Sequence, residues 1–367
     1  MKSTWTHSLV GLLALTTLAS AQDTRHGRTI NVKSGQKIQK AINAARLGTE
    51  IVVAPGTYTE QLLIKKDGIQ LRGQAGAILQ APDTPTRNIC SGNAGPGTQA
   101  GICIAGAGLE LDPFTAEHRK VVSVARPVRS VSVSGFTVQG FSGANILALG
   151  AEHTRIEHNT LIDGAGYGFL ASGSRDTVVD GNTITSSDPA APGFIAMCMD
   201  NFSGADGRNN VITFYVIGLC IQTDGATLRD NDVSYTCRAA FADPYVAGVR
   251  VYDNHLHHSY NACDALGSYG VTLAGSKKAL VQGNLVEEIR NDGPAAGIYV
   301  ADDPCTEGSL ACAGDPGALV VAEGNRVVGN QLRRNDLDVW NNSTGDGNVF
   351  RRNQCSTSIP EGLCRGR

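Results

Sequence analysis

Apolar residues in this chain follow two superposed periods. Within runs of five or six residues they alternate with other residue types, and the runs themselves return after twenty-odd residues. The clearest repeating unit is apolar–x–Gly/Asp–Asn–x–apolar, found as IEHNTL (156–161), VVDGNTI (178–184), LRDNDV (228–233), VYDNHL (251–256), VQGNLV (281–286) and VAEGNRV (321–327). Its Asn residues stand at 159, 182, 231, 254, 284 and 325, and Asn210 of RNNVI fills the gap between 182 and 231. The steps are therefore 23, 28, 21, 23, 30 and 41 residues. A floor near 21–23, with longer steps absorbing insertions, predicts one solenoid turn per Asn.

A second alternating run lies upstream of each Asn: GFLAS (168–172), AMCMDN (196–201), GLCIQT (218–223), AAFADP (239–244), GVTLAG (270–275) and GIYVAD (297–302). One alternating set is wholly apolar: Phe169/Ala171, Met197/Met199, Leu219/Ile221, Ala240/Ala242, Val271/Leu273 and Ile298/Val300. Side chains on a strand point alternately to opposite faces, so this set must face a core and its partners must face outward. Strands this short are expected to pair in parallel with the coils above and below. The Asn at each bend would stack in a ladder that satisfies backbone groups there. An antiparallel sandwich would need hairpin turns instead. The fold class predicted is all-β, a parallel β-helix solenoid.

These runs resemble the right-handed parallel β-helix superfamily, also called pectin lyase-like, over roughly residues 28–355. Lys37 to Ala45 carries apolar residues at 38, 41, 42 and 45, spaced for an amphipathic helix, and leads into IVVAPGTYTEQLLI (51–64). The resemblance implies a capping helix followed by a first coil, and a cap is needed physically because an open coil end exposes strand edges and core. The expected organisation is a leader at 1–21, an N-terminal cap region at 22–50, the β-helix at 51–354 and a disulfide-closed tail at 355–367.

Composition adds where the protein goes. Lys2, the apolar stretch Leu9 to Leu18 and the small-x-small site Ala19-Ser20-Ala21 read as a secretory signal that would leave Gln22 first. A secreted, extracellular protein without a membrane anchor is expected. Lys+Arg number 31 against 34 Asp+Glu, too even a balance for a nucleic-acid binder working by bulk electrostatics. Gly reaches 44 residues while aromatics are only 5%, which suggests many tight turns. Ten cysteines, none in a C-x-x-C pair, favour disulfides in an oxidising compartment over a zinc ribbon. Aligning the coils puts Cys198 and Cys220 at one outward position on adjacent turns. Cys90–Cys103, Cys237–Cys263, Cys305–Cys312 and Cys355–Cys364 complete a local scheme, although connectivity stays open from sequence. Asn201, Asn341 and Asn342 begin glycan-acceptor triplets.

The resemblance places a substrate groove on the outer face of the second run, which carries Cys198/Asp200, Cys220/Gln222, Phe241/Asp243, Thr272/Ala274 and Tyr299/Ala301. The insertion 255–269 would wall it on one side, and Asp224, Tyr245, Asp302 and Asp303 would line the other rim. Candidate catalytic residues are Asp200, Asp243, Asp224, Tyr245, His255, His257 and Arg250. Candidate substrate contacts are Gln222, Tyr260, Tyr269, Lys277, Tyr299 and Asp302. Gln222-Thr-Asp224-Gly225 is similar to the Asn-Thr-Asp-Gly element of polygalacturonases, but their further elements are absent. Ala242-Asp243-Pro244-Tyr245 resembles the Asp-Pro-His-Asp motif of alginate epimerases, with Tyr245 in place of His and Val246 in place of the last Asp.

Lyase and C5-epimerase chemistry both begin by removing a proton beside a carboxylate, which needs a base and a group that neutralises charge. Arg250, Lys277 and Lys278 are the cations considered for the latter. The expectation is a carbohydrate-active protein, a polysaccharide lyase or epimerase ahead of a glycoside hydrolase. The alternatives are a non-catalytic carbohydrate-binding or adhesive protein and an enzyme on a small molecule. A polysaccharide or oligosaccharide is the expected partner, with no nucleic acid, no membrane, and a monomeric chain. No cofactor is assigned; calcium bridging Asp residues to a uronate would suit an oxygen-rich face. His255 and His257, about 6.6–7 Å apart on one strand face, lack a third ligand in the sequence and are read as a surface cluster without metal.

Overall fold

The computed structural model describes Met1 and residues 28–261, 263, 267–306, 310–312 and 314–365; the leader-like stretch after Met1 falls outside the described residues. The chain winds into a right-handed parallel β-helix. One ladder contains the strands that run up to each Asn, from Thr29–Val32 and Glu50–Val53 through Arg155–Glu157 and Thr227–Arg229 to Val349–Arg351. The other contains the strands that follow each Asn together with the alternating runs of the groove face. On two coils these last two merge into single long strands, Val211–Ile221 and Asp232–Ala242. Pairing between coils is parallel, while Ala107–Leu111 and Val121–Arg126 form an antiparallel hairpin that projects from the coil stack. The helix Ile38–Ala44 turns Ile38, Ala41 and Ile42 onto the open end of the core.

The inward set expected from the alternation is buried throughout: Phe169, Met197, Leu219, Ile221, Val271, Leu273, Ile298 and Val300 are each at most 1% exposed. Each large apolar side chain so buried contributes roughly 1.5–3 kcal/mol relative to exposure. The five cysteine pairs Cys90–Cys103, Cys198–Cys220, Cys237–Cys263, Cys305–Cys312 and Cys355–Cys364 are joined, with Cα atoms 4.5–6.0 Å apart. Among the described residues no helix is long and apolar enough to cross a membrane.

The Asn residues form one continuous ladder: 159, 182, 210, 231, 254, 284, 330 and 353. From Asn182 onward each Oδ1 accepts from both the backbone N–H and the Nδ2 of the Asn one coil before it, at 2.9–3.1 Å, while Asn159 Oδ1 accepts from Phe136 N–H. Each Nδ2 also donates to a backbone carbonyl of the preceding coil, as Asn231 does to Gly207 at 3.0 Å. The residue just before each ladder Asn has positive φ, from 54° at His158 and Asn209 to 68° at Gly329. Gly, Asn, Asp and His tolerate that left-handed conformation best, which explains the Gly/Asp in the sequence motif.

One assignment is corrected. Asn325 is not the rung after Asn284; that rung is Asn330, in the overlapping segment VVGNQL. Asn325 begins the same strand rather than ending it, and makes a separate two-rung ladder with Asn348.

Replacing Asn231 with Ala should lower stability by about 3 kcal/mol or more, since every buried polar group left unpaired costs roughly 1–3 kcal/mol. The substitution removes the acceptor of the Asn210 backbone N–H and of one Asn210 Nδ2 hydrogen, and the side-chain donor to Gly207 O and Asn254 Oδ1, the latter keeping the backbone N–H of residue 231. Denaturant midpoints of Asn231→Ala and of Asn353→Ala, at the ladder's end, should show the larger loss for the central rung.

Candidate active site

On the groove face the outward positions form rows that run along the helix axis. One row is Leu170, Cys198, Cys220, Phe241, Thr272, Tyr299 and Trp340. The next begins with Ser172 opposite Asp200 and continues through Gln222 and Asp243 just beyond their strand ends, where Gln222 N–H donates to Met199 O and Asp243 N–H to Ile221 O. A third row is Tyr167, Ile195, Ile217, Arg238 and Tyr269. Thus Asp200, Gln222 and Asp243 sit on three successive turns, about 4.8 Å apart along the axis. Asp224, two residues past Gln222, lines the cleft beside this row.

A residue pair absent from the sequence-based candidates closes over this row. The loop of the projecting hairpin, between Leu111 and Val121, is pinned by Arg119, whose Nε donates to Asp112 O at 2.8 Å and whose Nη2 donates to Leu111 O at 3.1 Å. It delivers Glu117, in the left-handed region at φ 51°, and His118, which is fully buried. His118 Nε2 lies 3.0 Å from Asp200 Oδ2 and its Nδ1 lies 3.0 Å from the Tyr167 hydroxyl. Gln222 Nε2 donates to Glu117 Oε2 at 2.9 Å and to Asp243 Oδ2 at 2.6 Å. Asp243 is only 2% exposed, and its Oδ1 and Gln222 Oε1 are buried without a hydrogen-bond partner among the described residues.

Burial raises the Asp243 carboxyl well above the usual carboxylate range, and the neighbouring Glu117 and Asp200 push it further, against the Gln222 hydrogen bond and the Arg238 charge. Burial likewise raises Glu117, with Asp200 adding to it while His118 and Gln222 oppose. Tyr167 rises well above an ordinary phenol because it is buried beside Glu117, Asp243 and Asp200. Desolvation lowers the Arg238 guanidinium, which lies 4.8 Å over the Phe241 ring. Burial and like charge thus both act to raise the Asp243 and Glu117 carboxyls.

Beside it opens a cleft of about 290 Å³ lined by Lys120, Asp200, Asn201, Phe202, Gln222, Asp224, Pro244, Tyr245 and Ala311. Asp224 Oδ1 accepts from Ala247 N–H at 2.7 Å, and Tyr245 is exposed with its hydroxyl 4.0 Å from Cys305 Sγ. Two sequence candidates near this rim are engaged in structure. Asp302 accepts from Ala322 N–H, Ser343, and both Thr344 N–H and hydroxyl at 2.6–3.0 Å. Its burial would raise it, but the Ser343 and Thr344 bonds hold it below the usual range. Lys277 is paired to Glu323 at 2.8 Å. Farther along the groove face, Tyr269 stacks on Tyr299 at 4.6 Å, and Tyr299 lies 4.9 Å from Trp340.

Other candidates lie elsewhere. His255 and His257 are on the strand His255–Ser259, directly after the Asn bend, opposite Asp232 and Ser234 at the start of the long strand whose far end precedes Asp243. Tyr260 follows them, its N–H donating to Thr236 O. Arg250 is exposed on the strand leading to Asn254, 5.7 Å over the Tyr252 ring. The structure thus separates His255, His257, Tyr260 and Arg250 from Asp243, because the coil bends between the two stretches of strand. Asn201 is also corrected as a glycan acceptor: it is buried, with Nδ2 donating to Thr177 Oγ1 and Gly204 O, so the folded chain presents no free amide there.

The oxygens of Glu117 and Asp243 come within 4.8 Å of each other, but the third member of that group is Cys220 Sγ, which is in a disulfide. Two carboxylates fall short of the six to eight oxygens calcium takes, so the protein alone supplies no calcium cage there.

The sign of the Asp243 shift makes stability pH-dependent. A carboxyl raised on folding contributes stability below its unfolded value near 3.8 and loses it as pH rises through the folded value. Asp243→Asn should therefore melt above wild type at neutral pH, with the difference shrinking toward pH about 4; melting curves of both proteins across that range check it.

Comparison with known proteins accords with this architecture. The profile of the right handed beta helix region matches residues 193–357. No curated protein sequence matches. Among solved structures, the A-module of the mannuronan C-5 epimerase AlgE4 from Azotobacter vinelandii is similar at 14% identity over 88% of each chain, with a TM-score of 0.50. An alginate lyase from a Paenibacillus species is similar at 15% identity, over 87% of this chain and 99% of that one, with a TM-score of 0.51. The Dettilon tailspike protein is similar at 12% identity, over 90% of this chain and 68% of that one, with a TM-score of 0.55. At such identities the likeness is one of fold. A second profile spans residues 21–236, more than half of the sequence, and the chain belongs to that family, described as protein of unknown function (DUF1565).

Proposed function

We propose that this protein is a secreted polysaccharide-active enzyme that abstracts the proton beside a uronate carboxyl, as a lyase or C5-epimerase. The observation that carries the reading is the Glu117–Gln222–Asp243 cluster, Asp243 buried and the other two half-buried, adjoining the Asp200–His118–Tyr167 chain and opening on the cleft. Removing a proton beside a carboxylate builds negative charge on that carboxylate, and donors placed to meet it lower the barrier. Burial and mutual repulsion raise the Asp243 and Glu117 carboxyls, which favours the neutral acid that can donate a hydrogen bond to such a charge. The Gln222 amide lies between them, and Lys120 on the cleft wall adds a cation.

Asp200 is the proposed proton acceptor. It lines the cleft while His118 holds its Oδ2, so a proton it takes is shared along a chain that ends at the Tyr167 phenol. His118 is a positioning residue in this reading, since it is fully buried and acts through Asp200. Asp224 and Tyr245 border the same cleft, and the aromatic run Tyr269, Tyr299 and Trp340 offers apolar surface for further sugar rings. The solved β-helix structures titled as a mannuronan epimerase and an alginate lyase, similar in fold, support the choice of substrate class.

The test is an activity screen on uronate polysaccharides, alginate included, following ultraviolet absorbance of unsaturated product, reducing ends, and uronate configuration by NMR. Wild type should give unsaturated product or inverted uronate, and Asp200→Asn should lower kcat by about 10²–10⁴, with Asp243→Asn also impaired. Reducing ends alone would replace this reading with hydrolysis. Folded wild-type protein silent in all three channels would overturn it.

A further inference from the structure

The groups the bend carries away from the groove, His255, His257 and Asp232, form a second constellation. Asp232 stands directly opposite His255 on the adjacent coil, and Ser234 opposite His257, so both rings face one carboxylate. Asp232 Oδ2 lies 3.0 Å from His255 Nδ1 and Asp232 Oδ1 lies 3.2 Å from His257 Nε2. The two imidazoles stack 4.0 Å apart, and one donor atom from each of the three residues lies within 4.8 Å of the others.

The far nitrogens are also engaged. His255 Nε2 faces Glu287 Oε1 at 3.0 Å, from the coil beyond, and His257 Nδ1 faces His258 Nδ1 at 2.7 Å. Glu287 is itself held by Arg333 at 2.8 Å and by Arg334. His258, in the left-handed region at φ 56°, is fixed against Tyr235, 5.4 Å away, which in turn stacks on Phe214 at 5.0 Å. A neutral imidazole has one N–H and one lone pair. With the outer N–H groups directed to Glu287 and to His258, both inner lone pairs face the Asp232 carboxylate, and a proton or a metal cation among them relieves the repulsion. In metal sites a histidine ligand commonly gives its other N–H to a carboxylate or similar acceptor, which fixes the tautomer.

We propose that Asp232, His255 and His257 bind one divalent late transition-metal ion, zinc or copper, with Glu287 and His258 orienting the two imidazoles. Two imidazoles and one carboxylate are borderline donors that suit zinc and copper over calcium or magnesium. Ligand bonds of about 2.0–2.1 Å in a tetrahedron set donors near 3.3 Å apart, close to the two contacts with Asp232. Three protein ligands leave a fourth position for water or an exogenous ligand. The ion would tie the coils of Asp232 and of His255/His257 together, with Glu287 supporting from a third.

The experiment is isothermal titration of tag-free, chelator-stripped full-length protein with ZnCl₂ and, separately, CuSO₄, alongside melting temperature with and without the ion. The expected result is one equivalent bound, a higher melting temperature with metal, and loss of that equivalent in His255→Ala and in His257→Ala. Glu287→Gln keeps an acceptor for the His255 N–H but no carboxylate charge, and should weaken binding about 10–100-fold. Asp232→Asn, which keeps the shape and removes the charge, serves as a further ligand variant should either alanine variant fail to fold. No bound equivalent in wild type, or one unchanged in the folded ligand variants, would overturn the proposal.

Discussion

The hydrogen bond from each buried Asn to the Asn one coil on is the constraint from which the rest of the molecule follows. Parallel strands slide easily in register when their faces are alike, and a slip of one residue would turn every side chain to the other face. The ladder forbids that slip, because an Asn moved by one position leaves its Nδ2, its Oδ1 and a neighbouring backbone carbonyl unpaired in a dry bend. With register fixed at the bend, every later position in the coil falls into a row. Asp200, Gln222 and Asp243 line up because Asn182, Asn210 and Asn231 do.

That alignment concentrates like charge. Rows in a parallel stack bring identical positions to about 4.8 Å, and the loop with Glu117 adds a third acid to a patch already holding two. The fold tolerates this through local pairing: Gln222 joins two of the acids and His118 engages the third. Buried carboxyls held away from water destabilise the native state, and such strain is characteristic of sites kept for chemistry rather than for packing. Asp302 shows the contrast on the same rim, where the hydroxyls of Ser343 and Thr344 and nearby backbone N–H groups satisfy it and hold it as a structural anchor.

The parts of the protein legible in the sequence are those with a period. The Asn steps and apolar alternation determine coils, inward rows and the outward row of Asp200, Gln222 and Asp243. The ambiguity at Asn325 lies where two Gly-Asn pairs fall within seven residues, Gly324-Asn325 and Gly329-Asn330, so both fit the motif and only the hydrogen bonds separate them. Glu117 and His118 lie in an insertion without period, and their position depends on Arg119 and the hairpin rather than on any rung. The signal that existed was a Glu-His-Arg-Lys run inside a long gap between coils. Tyr167 was missed because alternation breaks at Gly168, which places Tyr167 outward together with Leu170. A coil has several outward faces, so alternation alone does not separate His255 and His257 from Asp243.

The long strands Val211–Ile221 and Asp232–Ala242 explain why chemistry gathers where it does. On other coils the stretch after the Asn and the groove-face stretch are separate strands with a turn between, as in Thr160–Ile162 and Tyr167–Ser172. Here each pair is joined into one strand with more paired backbone than its neighbours, bent partway at Phe214 and Tyr235, whose φ values are 57° and 53°. Asp232 opens the second of these strands and Asp243 follows its end. The hairpin loop folds back onto this wall at one end, and His255 and His257 lie against it at the other. A solenoid couples each coil chiefly to its neighbours, so the two proposed sites, at opposite ends of one bent strand, share a scaffold while keeping separate side chains. The sequence of one site can therefore vary without disturbing the other, provided the Asn rung between the coils is kept.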